Sequence, residues 1–399
     1  PTTVWLNSTL GFGLGEIGRE REALPLIRDV LDRWIAFGWG DTEVTLRTHI
    51  YYGFLLTRTN RADEAEVLLA QLLERPDLPP AVRASAMGQR TWALHQLGRF
   101  EEALEMGQAT LDLVLTVYGP SHTETFTAQG NVAVALGELG RSDEALALLR
   151  QSAGAAIAAL GPNDPQSLNT LQNLAAELHG SGRSHQAEPL FRDVIARAAD
   201  PSLRAMAMHH LGLALMALSR PVEAEIELRH AIELREGLSD PIDLAISWSM
   251  LALALDQQGR HAEAQPLHAR ALDIARAANV TWHVESGIVL SQGENLQWLG
   301  RLDEAEARLR RAKVLADAHL VEGHPRRLLR DQRLAAVLLD RKRPAEALAL
   351  MRDASALLLT RTDGREGTDR IDPWNTRGDI FAIVVRAAWD QATLGGSAR

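Results

Sequence analysis

Gly140-Arg141-Ser142-Asp143-Glu144-Ala145 is the string on which the reading of this chain turns. Its pattern, Gly-Arg-x-x-Glu-Ala, returns whole or slightly changed at nine places. The alanines are Ala23, Ala65, Ala103, Ala145, Ala187, Ala224, Ala264, Ala305 and Ala347. The intervals between them are 42, 38, 42, 42, 37, 40, 41 and 42 residues, so nine units span most of the 399 residues. A sustained period of this length marks a repeat architecture, in which each unit is one supersecondary element stacked on the next.

Other columns keep step with the alanines. Four residues earlier stands Arg19, Arg61, Arg99, Arg141, Arg183, Arg220, Arg260, Arg301 or Arg343. Nine earlier stands Leu14, Leu56, Leu94, Leu136, Leu178, Leu215, Leu255, Leu296 or Leu338. Twelve earlier the residue is small: Gly11, Gly53, Thr91, Ala133, Ala175, Gly212, Ala252, Gly293 or Ala335. The residue just before the alanine is Glu in eight units and Gln186 in the fifth.

These offsets read as helix–turn–helix. The small residue and the Leu are three apart, on one face of a helix, and the small residue lets a neighbouring helix come close. Gly18, Gly98, Gly140, Gly182, Gly259 and Gly300 stand five before the alanine. Glycine there ends the first helix, because it takes the left-handed cap conformation cheaply. Pro221 and Pro344 follow two residues on, where proline suits the first turn of a new helix. The alanine then packs the second helix onto the first. A single unit leaves its apolar stripe uncovered, so the units must stack.

With these columns the chain resembles the tetratricopeptide-repeat family, Leu211-Gly212 with Leu215 and Ala224 being one instance of its pattern. The usual repeat is about 34 residues. The longer units here, and the strings Tyr118-Gly119-Pro120-Ser121-His122, Leu160-Gly161-Pro162-Asn163-Asp164-Pro165 and Gln186-Ala187-Glu188-Pro189-Leu190, resemble the kinesin-light-chain variety found in bacterial multidomain signalling proteins. The departures are Asn60, Ser219 and Lys342 in the Gly column, Gly107 and His268 in the large apolar column, and the intervals of 38 and 37. The resemblance implies an all-α fold: a right-handed superhelical solenoid of about nine helix pairs over residues 1–359. A polar loop and a C-terminal capping helix would fill residues 360–399, the helix carrying Ile380, Val384, Val385 and Ala388.

Composition narrows the functions. Lys and Arg total 42 and Asp and Glu total 52, a net charge of −10, which disfavours a nucleic-acid binder. No apolar run reaches the ~18 residues of a membrane span. The absence of cysteine removes disulfides, thiolate metal sites and cysteine nucleophiles together. Lys313 and Lys342 are the only lysines against 40 arginines, a skew that suggests a GC-rich bacterial source. The cytoplasm is the expected compartment, with the periplasm as the alternative.

No motif for catalysis, cofactor or metal stands up. Gly13-Leu14-Gly15-Glu16-Ile17-Gly18 fits a phosphate-cradling glycine pattern, but it lies late in a helix instead of after a strand. His209 and His210 are adjacent, so they point about 100° apart on a helix. Arg326, Arg327, Arg330, Arg333, Arg341, Lys342 and Arg343 form a basic run in the ninth unit, read as a solvated face, or else as a docking site for an acidic partner. Most of the nine tryptophans are expected as wedges between helices.

The family's groove positions lie on the first helix of each unit, and the resemblance transfers them to named residues. The first three units contribute Trp5, Phe12, Arg47, Phe54, Arg58, Trp92 and His95. The next two contribute Glu138, Asn169, Gln172 and His179. The later ones contribute Met206, His209, Leu213, Met216, Asp256, Glu294, Gln297 and Trp298. Aromatics beside Arg47 and Arg58 suit a peptide with apolar anchors and an acidic group. Asn131 and Asn173, one place before the apolar column, are candidates to hold peptide backbone. The function so implied is a non-catalytic scaffold that binds a protein or extended peptide, as the interaction or sensor region of a larger signalling protein such as a Ser/Thr kinase. The alternative is a switch whose superhelix closes on a small peptide or metabolite. Trp5, Leu6 and Leu10 recur at helical spacing with nothing before them to cover them. This predicts a missing upstream portion or self-association through that end.

Overall fold

The computed structural model describes residues 2–16, 19–238, 241–278, 280–320, 325–361, 382–388 and 390. Its regular structure is helical, with no strand among the described residues. The first three units are α1 (Thr2–Glu16) with α2 (Glu20–Ala36), α3 (Glu43–Arg58) with α4 (Ala62–Leu73), and α5 (Pro80–Gln96) with α6 (Phe100–Tyr118). The next three are α7 (Thr123–Glu138) with α8 (Ser142–Leu160), α9 (Pro165–Gly180) with α10 (Ser184–Arg197), and α11 (Pro201–Ala217) with α12 (Pro221–Glu236). The last three are α13 (Pro241–Gln257) with α14 (His261–Ala277), α15 (Trp282–Trp298) with α16 (Leu302–Asp317), and α17 (Pro325–Asp340) with α18 (Pro344–Arg361). The chain divides into two compact units, Pro1–His210 with Leu234–Asp240, and Leu211–Glu233 with Pro241–Arg399.

The repeated string builds the same corner nine times. The Arg-column N–H donates to the Leu-column carbonyl, as from Arg141 to Leu136 at 2.9 Å and from Arg183 to Leu178 at 2.7 Å. The Arg carbonyl in turn accepts from the alanine N–H, 3.1 Å at Ala145. One residue therefore closes the first helix and opens the second. Its guanidinium grips the Glu before the alanine, as Arg141 does Glu144 at 2.7 and 2.8 Å. Where Gln186 replaces Glu, Arg183 reaches back to Asp143 of the preceding unit at 2.7 Å. The turn between demands a left-handed residue. Gly98, Gly140, Gly182, Gly259 and Gly300 have φ between 71° and 78°, and the three departures adopt the same conformation: Asn60 at 66°, Ser219 at 59° and Lys342 at 60°. The corner dictates the backbone there, and these residues bear its strain. Gly18 lies outside the described residues.

All nine column alanines are fully buried, and the column leucines are buried with them. The small column faces the residue four after the alanine. A Cβ added to Gly11 would come 2.8 Å from Ile27, and one on Gly293 2.7 Å from Leu309. Gly107 is the same fit with sizes exchanged: its partner is Thr91, whose Cγ2 would be 3.4 Å from an added Cβ.

The intervals of 38 and 37 arise from short second helices, α4 with 12 residues and α10 with 14. Each early end is covered by an arginine of the next first helix. Arg83 donates to the Leu73 and Arg75 carbonyls at 3.1 and 2.5 Å. Arg204 donates twice to the Ala198 carbonyl, at 3.1 and 2.6 Å.

At the N-terminal end Trp5, Leu6 and Leu10 are exposed. At the other end α18 runs through Arg361, past the expected limit of 359, and residues 362–373 of the expected polar loop lie outside the described residues. Residues 382–388 are helical. Ala387 is buried there, and Ile383 and Val384 pack on the core that holds Leu338, Ala347 and Met351, while Val385 is exposed. Ile380 lies outside the described residues.

Tryptophan placement differs from expectation. Of the seven described tryptophans Trp34 alone is enclosed; Trp5, Trp39 and Trp298 are exposed, and Trp92, Trp248 and Trp282 half-buried. The alanine and leucine columns already fill the space between helices, so most indoles are left at its rim.

Candidate peptide-binding face

In the first compact unit the first helices touch one another in series, α3 with α5, α5 with α7, and α7 with α9. They form one continuous side, which the second helices back. In the second unit α13 touches α15, and α15 touches α17.

Aromatic side chains gather where this side begins. Phe12 of α1 lies 4.6 Å from Tyr51 of α3, ring centre to ring centre, and Tyr51 is stacked 5.9 Å from Phe54. The Tyr51 hydroxyl occupies space that only glycine leaves open: a Cβ on Gly15 would be 1.8 Å from it. This explains one glycine of the phosphate-loop pattern by packing. One unit on, Trp92 stacks on His95 at 5.1 Å, and His95 lies 5.5 Å from Phe100. Phe12, Phe54, Trp92 and His95 are all half-buried. Tyr51 was missed at the sequence level. It stands two residues before the small column, in the column of Asn131 and Asn173, so the same alignment holds the signal.

Trp5 stands apart from this row, edge-on to Trp34 at 6.0 Å. The two predicted arginines are already engaged. Arg47 donates to Glu43 at 2.8 Å, and Arg58 to Glu20 at 3.1 Å. An acidic group on a ligand would have to displace those carboxylates, so the aromatics dominate this end.

Farther along, amides replace aromatics. Asn131 and Asn169 are half-buried and Asn173 is exposed, its Nδ2 3.1 Å from where a Cβ on Gly130 would lie. Glu138 and Met206 are half-buried. Gln172 and His209 are enclosed and stand behind the side rather than on it. Gln172 shares a 3.0 Å hydrogen bond with His210, and His179 one of 2.9 Å with Ser184. Burial pushes the His210 imidazole down to about 4, and burial with the charges of His210 and Arg235 pushes His209 well down. His179 is lowered by burial too.

In the second compact unit Leu213 is half-buried and Met216 enclosed. Asp256 is the hub of a polar knot. Its carboxylate bonds His261 Nδ1 at 2.9 Å and His268 Nε2 at 2.8 Å, and accepts from Asn295 at 2.7 Å. His268, a departure from the apolar column, is thus a satisfied core histidine. Glu294 pairs with Arg333 at 2.6 Å, and burial raises its pKa. Gln297 donates to Asp340 at 2.7 Å. Trp298, 72% exposed, lies parallel to His261 at 5.4 Å.

The basic run is a structural network in place of the solvated or docking face expected of it. Arg341 and Arg343 converge with Arg310 on the buried carboxylate of Glu306. Arg327 pairs with Asp317 at 2.7 Å. Arg330 is buried against Ser286 at 2.8 Å, and burial lowers it to about 10. Its cause is the glutamate following the column alanine, which the next unit's Arg column reaches: Glu306–Arg343 at 2.8 Å, Glu225–Arg260 at 2.7 Å and Glu66–Arg99 at 3.7 Å.

Among the described residues no group of three or more His, Asp or Glu is placed to hold a metal ion, and no helix is long and apolar enough to cross a membrane.

The tetratricopeptide-repeat family profile matches residues 93–158, 143–200 and 203–277. No match was found among the curated proteins. Among solved structures, the apo form of the quorum sensor NprR from B. thuringiensis is similar over 90% of this chain and 98% of its own, with a TM-score of 0.58 and 14% identity. The APC/C hetero-tetramer Cut9-Hcn1 is similar over 91% of this chain and 59% of that one, with a TM-score of 0.56 and 15% identity. A putative kinesin light chain of nearly identical repeats from Podosopora anserina matches 49% of this chain and 97% of its own, at a TM-score of 0.42 and 22% identity. The corner repeated nine times, the matched stretches and the shared helical fold together make the chain a tetratricopeptide-repeat protein.

Proposed function

We propose that the protein binds an extended segment of a partner protein along the first helices of its first compact unit. The observation that carries this reading is the half-buried aromatic row Phe12, Tyr51, Phe54 and Trp92, which crosses three units on one side of the fold. Such rings supply large contact area at low entropic cost and serve as anchors for apolar side chains. The amides of Asn131, Asn169 and Asn173 follow on α7 and α9, suited to hydrogen-bond a peptide backbone. Each carries donors and an acceptor, so sequence preference comes from the aromatic end. The protein works by binding, not catalysis. It serves as the docking region of a larger bacterial signalling protein, a placement that rests on the resemblance of its long repeats to those of such regulators.

Peptides selected from a random library on the intact chain test this. Those with apolar anchors should bind, and Tyr51→Ala with Phe54→Ala should weaken them tenfold or more, about 1.4 kcal/mol or above. Selected peptides that bind the double variant as well as the parent would refute the assignment.

A further inference from the structure

A second feature of the first unit is separate from the aromatic row. Trp5 of α1, Trp34 of α2, and Phe37 and Trp39 in the turn after α2 line an open hollow of about 260 Å³, with Val4 beside them. The rings form a box, not a stack. Trp5 meets Trp34 at 6.0 Å and 60°, and Phe37 meets Trp39 at 5.6 Å and 56°. Trp34 is enclosed and forms a fixed wall, while Trp5, Phe37 and Trp39 are 56%, 52% and 45% exposed. Three large rings left this open around one hollow are costly in water unless something occupies it.

The composition of the walls identifies the occupant. Tryptophan faces carry the strongest negative quadrupole of any side chain, and rings set at steep angles present that potential to a common centre. The surroundings have the same sign. Residues 1–46 contain seven carboxylates (Glu16, Glu20, Glu22, Asp29, Asp32, Asp41 and Glu43) against four arginines, a net of 4 − 7 = −3. Of those arginines Arg19 is paired with Glu22 and Arg33 with Asp29. A bulky cation with an apolar surface satisfies both the rings and the field. An ordinary ammonium would forfeit hydration that no oxygen among the lining side chains replaces. We infer that the Trp5–Trp34–Phe37–Trp39 hollow is an aromatic cage for a quaternary ammonium group, either a free molecule of the choline type or a trimethylated lysine.

Choline and its neutral isostere 3,3-dimethylbutan-1-ol share shape and hydroxyl and differ only in charge. Titrated into the full chain and followed by tryptophan fluorescence, choline should bind about tenfold more tightly than the alcohol. Trp39→Leu and Phe37→Leu lie in a turn, and each should abolish that preference while the melting curve stays in place. A trimethyllysine peptide compared with its unmodified lysine form decides the source. Tighter binding of the methylated peptide than of choline assigns the cage to protein tails, and the reverse assigns it to a small molecule. Equal affinity for choline and the alcohol, or no binding of any methylated cation at tens of millimolar, overturns the assignment.

Discussion

Gly212 and Leu228 face each other so closely that a Cβ on the glycine would lie 2.7 Å from Leu228 Cγ. Leu228 is fully buried and has nowhere to retreat. Gly212→Val should therefore destabilise the second compact unit by about 1–3 kcal/mol, and Ala145→Leu the first by a similar amount. Gly13 in α1 is the control: nothing lies within 4 Å of its position, so Gly13→Ala should stabilise by about 0.5–1 kcal/mol. Denaturant midpoints measure all three, and an unchanged midpoint for Ala145→Leu would remove the helix–helix contact assigned to that column.

Ser219 and Lys342 hold left-handed turns without being glycine. Replacing each by Gly relieves steric strain of about 1–2 kcal/mol and returns part of it as unfolded-chain entropy. Ser219→Gly and Lys342→Gly are expected to raise stability by roughly 0.5–1 kcal/mol each. A lower melting temperature for both would show that the side chains make compensating contacts.

The imidazole of His210, held down to about 4 by burial, sets a pH dependence. Its folded pKa lies below the unfolded value near 6.5, so the folded state favours the neutral ring. The stability this brings is complete above about pH 6.5 and is lost as pH falls toward 4. At pH 5 the loss is up to about 2 kcal/mol, and His209 acts in the same direction. Urea unfolding at pH 7 and pH 5 should show the fall, and His210→Asn should flatten it. Equal slopes in parent and variant would place the acid sensitivity elsewhere.

Two glutamates two residues apart separate buried from exposed ion pairs. Glu306 is enclosed among Arg310, Arg341 and Arg343, whereas Glu304 makes a solvent-exposed pair with Arg301. Glu306→Ala leaves its cations unbalanced and should cost about 2–3 kcal/mol; Glu304→Ala should cost about 0.5 kcal/mol or less. Comparable losses in the two variants would mean that Glu306 is better hydrated than its burial indicates.

The helix pairs were legible because they rest on short-range rules: a cap residue, a small residue facing a large one, an alanine at a crossing. Asn60, Ser219 and Lys342 show the limit of that legibility. They break the glycine pattern yet keep its backbone, since the hydrogen bond from the next arginine to the Leu column fixes the turn regardless of side chain. The Glu306 network was not legible, because it joins one unit to the next and only stacking brings those charges together. At the candidate face Phe12, Phe54 and Trp92 could be read from their columns. Tyr51 could not, because its role depends on the gap left by Gly15, 36 residues away in sequence.

Arg83 and Arg204 have a consequence for how such a chain can vary. They seal second helices that stop early, so the difference between a 37-residue and a 42-residue interval is taken up at that far end alone. The corner from the Leu column to the alanine keeps its length of nine residues in every unit. Insertions and deletions thus have a place where they can be absorbed without shifting any residue on the first helices. The binding side can keep its spelling while the scaffold behind it is free to change length.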